Sequence, residues 1–185
     1  MPEATTQYSI RPSPESTFTL EVFKTGLMAG KKHLLFFEQH EGELDYNTQR
    51  VEDSKVRFTV QASSVTCKDT WVKREDRKKI VDVALNDMMA ANQYPQLTFV
   101  SSRILTRSKG MYEIEGDLTV RGISKPIVFQ ATVKPVSDGL RLEIDGDARI
   151  SHKDYGLRPI SKFGGIIGTK DQMLLWFLVW AEKKA

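Results

Sequence analysis

The stretch Tyr112-Glu-Ile-Glu-Gly-Asp-Leu-Thr-Val120, Arg121-Gly122-Ile123-Ser124-Lys125-Pro126, Ile127-Val-Phe-Gln-Ala-Thr-Val133 decides the fold. Tyr112, Ile114, Leu118 and Val120 share one parity, and beyond the connection so do Ile127, Phe129, Ala131 and Val133. Successive strand residues point to opposite faces, so this alternation predicts two antiparallel strands, each with one apolar face. The segment before them, Tyr94-Pro95-Gln96-Leu97-Thr98-Phe99, opens another strand behind a proline. An apolar face on every strand needs a cover, and what covers it determines what the protein does.

Working outward, the same pattern recurs. Thr17 to Phe23 alternates with Phe18, Leu20 and Val22 on one side. Lys32 to Glu38 and Glu43 to Tyr46 read as a hairpin with Glu41-Gly42 near its turn, and Lys55 to Ala62 places Val56, Phe58, Val60 and Ala62 inward. Strands are expected again at 97–105, 111–120, 126–135, 140–150 and 173–182. One segment has helical spacing: over 74–92, Ile80, Val81, Ala84, Leu85, Met88 and Met89 recur every three or four residues, and Pro95 stops the helix. Residues 1–16, rich in Pro, Ser and Thr, read as an irregular arm with room for a short strand near Tyr8-Ser9-Ile10.

At 185 residues the chain is expected to form one domain, 1–185, with 74–92 as a helical insertion. The fold class is all-β with one short helix, a closed antiparallel up-and-down β-barrel of about eight strands. Closure removes the edges that an open sheet must protect. A barrel of this size either fills with side chains or holds one small elongated ligand. Modest inward residues (Val56, Val60, Ala62, Val120, Ala131, Gly146 and Ala148) favour a hollow interior.

Apolar residues at 40% and charged ones at 28%, with a net charge of +3, describe an ordinary globular chain with no basic block, so no nucleic-acid partner is indicated. The single cysteine, Cys67, leaves no intrachain disulfide or cysteine cluster. The start, Met1-Pro-Glu-Ala-Thr-Thr-Gln-Tyr8, lacks basic and apolar signal regions, which suggests a cytoplasmic protein. The longest apolar run, Met173 to Ala181, is far shorter than the roughly 20 residues of a spanning helix, so no membrane span is expected.

Residue patterns for catalysis are missing. His33, His40 and His152 make no metal-ligand spacing, and Ser63, Ser64, Ser101 and Ser102 sit outside any nucleophile-elbow context. Gly164-Gly165-Ile-Ile-Gly168-Thr169-Lys170 lacks the lysine placement and the strand–loop–helix setting of a phosphate loop. It reads as a glycine-rich loop entering the last strand and placed to line a barrel mouth. The expectation is a container, not an enzyme, with no cofactor and no metal.

Three motifs carry a resemblance. Tyr94-Pro95-Gln-Leu-Thr-Phe99-Val-Ser-Ser102, Gly116-Asp-Leu-Thr-Val-Arg-Gly-Ile-Ser-Lys-Pro-Ile127 and His152-Lys-Asp154-Tyr-Gly156-Leu are similar to signature segments of the YceI-like family. The likeness extends from about Tyr8 to Glu182, while Pro12-Ser-Pro-Glu15-Ser16 stands where that family opens with Asp-x-x-His-Ser. The resemblance implies a lipocalin-like barrel that binds a polyisoprenoid or similar long-chain lipid (polyprenyl, quinone or fatty chain) without catalysis.

On that reading the apolar lining comprises Phe18, Leu20, Phe58, Val60, Met88, Phe99, Ile114, Leu118, Phe129, Leu142, Ile144, Ala148, Trp176 and Leu178. Met88 and Met89 close one end. Headgroup candidates in the loops are Arg121, Lys125, His152, Arg158 and Lys162, and Trp176 with Trp180 offer a face for a homodimer. The rival reading is a filled barrel that serves as a protein-interaction or stress-associated module with no small-molecule ligand.

Overall fold

The computed structural model describes residues 5–185; residues 1–4 of the expected N-terminal arm lie outside the described residues. The alternating segments form strands β1 (Thr5–Ile10), β2 (Thr17–Gly26), β3 (Lys32–Phe37), β4 (His40–Asn47), β5 (Lys55–Gln61) and β6 (Val65–Cys67). After helix α1 (Arg74–Val83) come β7 (Gln96–Ser108), β8 (Met111–Val120), β9 (Ile123–Val136), β10 (Arg141–Ser151), β11 (Ser161–Lys162), β12 (Ile167–Thr169) and β13 (Gln172–Lys183).

Eight antiparallel strands close a ring in the order β1-β4-β5-β7-β8-β9-β10-β13, with β13 pairing back to β1 through Ile10↔Ala181 and Tyr8↔Lys183. Residues 5–10 are therefore not an irregular arm: they close the barrel, because Tyr8 and Ile10 put buried side chains into it. The outer surface carries cross-strand ion pairs, such as Arg107–Glu113 and Lys134–Glu143. A barrel embedded in lipid carries an apolar band there instead.

Three neighbouring strand positions are broken at about the same level. β1 and β2 both run against β13, on Ala181–Lys183 and Leu174–Leu178, and are separated by a segment with Pro12 and Pro14, which have no N–H for a ladder. β3 and β4 are likewise halves of one line, and so are β5 and β6. Ser64 stitches these breaks: its Oγ donates to the Gln61 carbonyl at 2.7 Å and accepts from the Gln39 N–H at 3.0 Å. The expected hairpin around Glu41-Gly42 is accordingly corrected. Gly42 lies inside β4 directly opposite Phe58, whose ring would be 2.7 Å from a Cβ at that position, so the glycine is a seat for the ring and not a turn.

Among the described residues β6 pairs only with β3, and β7 begins beside Gln61 at the end of β5. The chain between them makes α1 and a π-helical turn (Ala84–Met88), then returns where the Pro95 carbonyl accepts from Ala62 N–H. Glu75 and Asp76 in the first turn suit the positive end of the helix dipole. The β8–β9 connection is tighter than its six-residue stretch suggested. Arg121 (φ 53°) and Gly122 (φ 72°) alone make the turn, and Val120 pairs with Ile123. Left-handed dihedrals at both central residues fit the hairpin turn whose twist matches its strands.

Candidate functional site

The inward faces enclose a cavity of about 610 Å³, within the range typical of small-ligand sites. A belt of five phenylalanines crosses its middle. Phe18 of β2 stacks on Phe58 of β5 (5.2 Å between centroids) and on Phe177 of β13 (5.9 Å). Phe129 of β9 meets Phe177 and Phe99 edge-on, and Phe99 lies directly opposite Phe58 across β5 and β7. Below the belt the cavity is lined by Tyr46 and Tyr112, whose hydroxyls lie 3.1 Å apart and form its floor. Burial, then Tyr112, raises the Tyr46 phenol above its ordinary value, so this hydroxyl stays protonated.

Above the belt the walls are Leu20, Val22, Leu35, Val120 and Leu175, roofed by Ile80, Val83, Ala84, Met88 and Met89 of the helical segment. Not one residue of α1 itself is fully buried. The mouth lies between that helix, the β2–β3 turn and the loop around β11 and β12, where Lys24, Met28, His33, Trp71, Lys162 and Phe163 all reach the cavity. Burial, then the charge of Lys162, lowers the Lys24 ammonium below its ordinary value. An ammonium disfavoured by burial and by a second cation at the rim of an apolar cavity suits an anionic group.

His33 is held in position. Its Nδ1 lies 2.7 Å from the buried Asp69 carboxylate, which also accepts from Leu34 N–H, and its ring stacks on Trp71. His40, off the cavity lining, is buried beside the Phe18–Phe58 pair without a well-formed hydrogen bond to either ring nitrogen among the described residues. Burial lowers its pKa, only partly offset by the backbone of Phe37, so it sits neutral there. The Cys67 thiol is pushed up to about 11 by burial, which keeps it protonated and unreactive.

Of the expected lining, Phe18, Leu20, Phe58, Val60, Met88, Phe99, Ile114, Leu118, Phe129 and Ile144 border the cavity. Ala148 and Leu142 are buried but off the cavity: Leu142 packs with Tyr8, Ile10, Leu44, Val179 and Ala181 beneath it. Trp176 and Leu178 are corrections, because both lie on the outer face. β13 is apolar on both faces, and the register Phe177↔Gly146 turns Phe177 inward. A Cβ on Gly146 would sit 2.8 Å from the Phe177 ring, so only glycine seats it. Trp176 instead donates its indole N–H to Glu21 outside, and Trp180 lies under the Arg141 guanidinium.

Among the expected headgroup residues, His152 and Lys162 border the cavity. His152 is oriented by the Asp171 carbonyl, 2.8 Å from Nδ1. Arg121 instead ties the β8–β9 turn to the Asp87 carbonyl, while Lys125 and Arg158 are exposed and off the lining. Lys24 escaped the sequence reading although its signal was present, since it continues the inward parity of Phe18, Leu20 and Val22. The His33–Asp69–Trp71 group joins residues 36 or more apart that touch only where β3 meets the chain leaving β6, which no spacing reveals.

Comparisons with known proteins agree with this geometry. A UPF0312 protein of Pseudomonas putida strain GB-1 is 25% identical over 126 residues, and one of Vibrio cholerae is 29% identical over 126 residues. Each match covers 66% of this chain, and the chain spans 62% and 63% of those relatives' lengths. BcnA of Burkholderia cenocepacia superposes with a TM-score of 0.72 at 21% identity, covering 89% of this chain and 95% of that one. The YceI protein of Campylobacter jejuni superposes at 0.65 and 21% identity, covering 82% and 85%. A family model described as the YceI-like domain matches residues 8–175, and the chain belongs to that family.

Proposed function

We propose that the protein is a non-catalytic carrier of a long-chain amphiphile, an isoprenoid or related lipid, with its chain in the barrel and its polar head at the mouth. The observation that carries this reading is the 610 Å³ cavity, which runs from two lysines at the rim, through a phenylalanine belt, to a tyrosine floor. Each buried methylene contributes about 0.8 kcal/mol before ordering costs, so the lining as a whole supplies the affinity. Lys24 and Lys162, with His33 beside them, suit a phosphate or carboxylate head. Of the expected headgroup residues this keeps Lys162, adds Lys24 and leaves out Arg121, Lys125 and Arg158, which are off the cavity lining. The open interior supports a carrier over a filled interaction module. Organic extraction of the purified protein followed by mass spectrometry is expected to release a polyprenyl, quinone or fatty amphiphile. An empty protein that also takes up no polyprenyl or quinone probe would refute the carrier reading.

A further inference from the structure

The mouth carries exposed apolar tips that the carrier reading does not use. The β2–β3 turn reads Gly26-Leu-Met-Ala-Gly30 and the neighbouring loop reads Phe163-Gly-Gly-Ile-Ile-Gly168, without one polar side chain between them. The two tips lie side by side: Leu27 N–H donates to the Ile166 carbonyl at 3.0 Å, and Gly26 pairs with Ile167. Leu27 is 80% exposed, Phe163 74% and Ile166 52%, three of the largest apolar exposures on the molecule in one place. Phe163 itself and Met28, next to Leu27, also border the cavity, so the apolar surface continues from the outside into it.

Cations bracket both loops. Val22–Lys32 holds Lys24, Lys31 and Lys32, and Tyr155–Lys170 holds Arg158, Lys162 and Lys170; neither segment contains an acidic residue. Three plus three makes six positive charges on a chain whose net charge is +3. Of these six, Lys32 is paired with Glu21, which leaves five without a carboxylate partner among the described residues, while Asp69 pairs with His33, Asp76 with Lys79 and Asp171 with Lys153. Lys31 and Lys170 hold their ammoniums over the rings of Trp71 and Phe23, 5.8 and 5.9 Å from the centroids, which keeps both charges beside the apolar tips.

We infer that this rim docks on an anionic lipid bilayer, with Leu27, Phe163 and Ile166 entering the interface and the lysine collar lying on the headgroups. An apolar tip ringed by lysines is the pattern of a surface that sits in the interfacial plane, and anionic lipid attracts such a collar within a Debye length. A second copy of the chain fits poorly, because joining two tips would bring five uncompensated cations against five. Docked in this way, the mouth opens onto the bilayer, and a lipid moves between membrane and barrel without its chain crossing water. The docking needs only the rim, so it goes beyond the carrier reading and does not depend on which lipid the cavity takes.

The test is sedimentation of the full chain, with no cargo added, on vesicles of phosphatidylcholine with and without phosphatidylglycerol. Wild type is expected to bind the anionic vesicles at low salt and to lose at least about tenfold in affinity on pure phosphatidylcholine or at high ionic strength. The Leu27→Asn/Ile166→Asn variant is expected to lose at least about tenfold on anionic vesicles with an unchanged melting temperature. Lys31→Glu/Lys170→Glu should remove most of the salt dependence. No sedimentation of wild type, equal binding by the Leu27→Asn/Ile166→Asn variant, or a dimer in gel filtration that this variant abolishes would each overturn the inference. A protein that binds vesicles but yields no extractable lipid and takes up no polyprenyl or quinone probe would leave docking intact and remove the carrier reading; the converse result separates them the other way.

Discussion

The two ends of the barrel are built on opposite terms. At the closed end Leu142 and Val179 are 1% exposed and Ala181 is fully buried, all held in the ring where β1, β10 and β13 meet. At the other end a helix without a single fully buried residue roofs the cavity, and apolar side chains stand in the open beside it. The complete ring of eight strands closes one end, and the mouth lies at the other, where, among the described residues, β6 and β7 do not pair and the helical segment bridges them. Segments with little buried apolar surface open most readily, which suits an entrance.

That contrast breaks first at the closed end. Leu142→Arg should prevent folding, because it leaves an unpaired charge in the tightest part of the core, while Leu142→Ala should cost about 2–5 kcal/mol in urea unfolding. Ile80→Ala in the roof should cost less than about 1.5 kcal/mol and act mainly on ligand uptake, since Ile80 is only partly buried. Equal losses at both ends would erase the distinction.

The middle of the barrel gives a smaller effect. Gly146→Ala drives a Cβ to within 2.8 Å of the Phe177 ring and 2.9 Å of the Gln130 carbonyl, so a loss of about 1–3 kcal/mol is expected in the same unfolding assay. At the rim, Lys24→Gln/Lys162→Gln should leave the unfolding midpoint nearly unchanged. The same pair should weaken a polyprenyl phosphate probe about tenfold, by loss of charge-assisted contacts, as read by fluorescence titration.

The smallest effect is a pH dependence from His40. Its folded pKa lies below the unfolded value near 6.5, because burial disfavours the imidazolium. The unfolded chain then binds the proton first as pH falls. Stability from this residue is complete above pH about 6.5 and declines as pH drops toward the lower folded value. His40→Phe should flatten that limb of the melting-temperature profile; an unchanged slope would place the acid sensitivity elsewhere.

Much of the fold was legible because alternation is a local signal. The strand at 111–120, the break at Pro95 and the parity of Ile127, Phe129 and Ala131 could be read residue by residue. What was missed depended on contacts distant in sequence. Trp176 and Leu178 could not be oriented within an all-apolar strand until Gly146, on a neighbouring strand, dictated which face Phe177 takes. Gly42 read as a turn because its partner Phe58 lies sixteen residues on. Thr5–Ile10 joins the far end of the chain, at Ala181–Lys183, so its own composition understated it. Lys24 was within reach, one step further along a parity already drawn.

The central claim is that the interior holds one long amphiphile with its head at the lysine rim. Native mass spectrometry of the purified chain mixed with a polyprenyl phosphate tests it most directly. The account predicts a one-to-one complex that Lys24→Gln/Lys162→Gln weakens; a folded protein that forms no such complex, or binds equally well without those lysines, would contradict it.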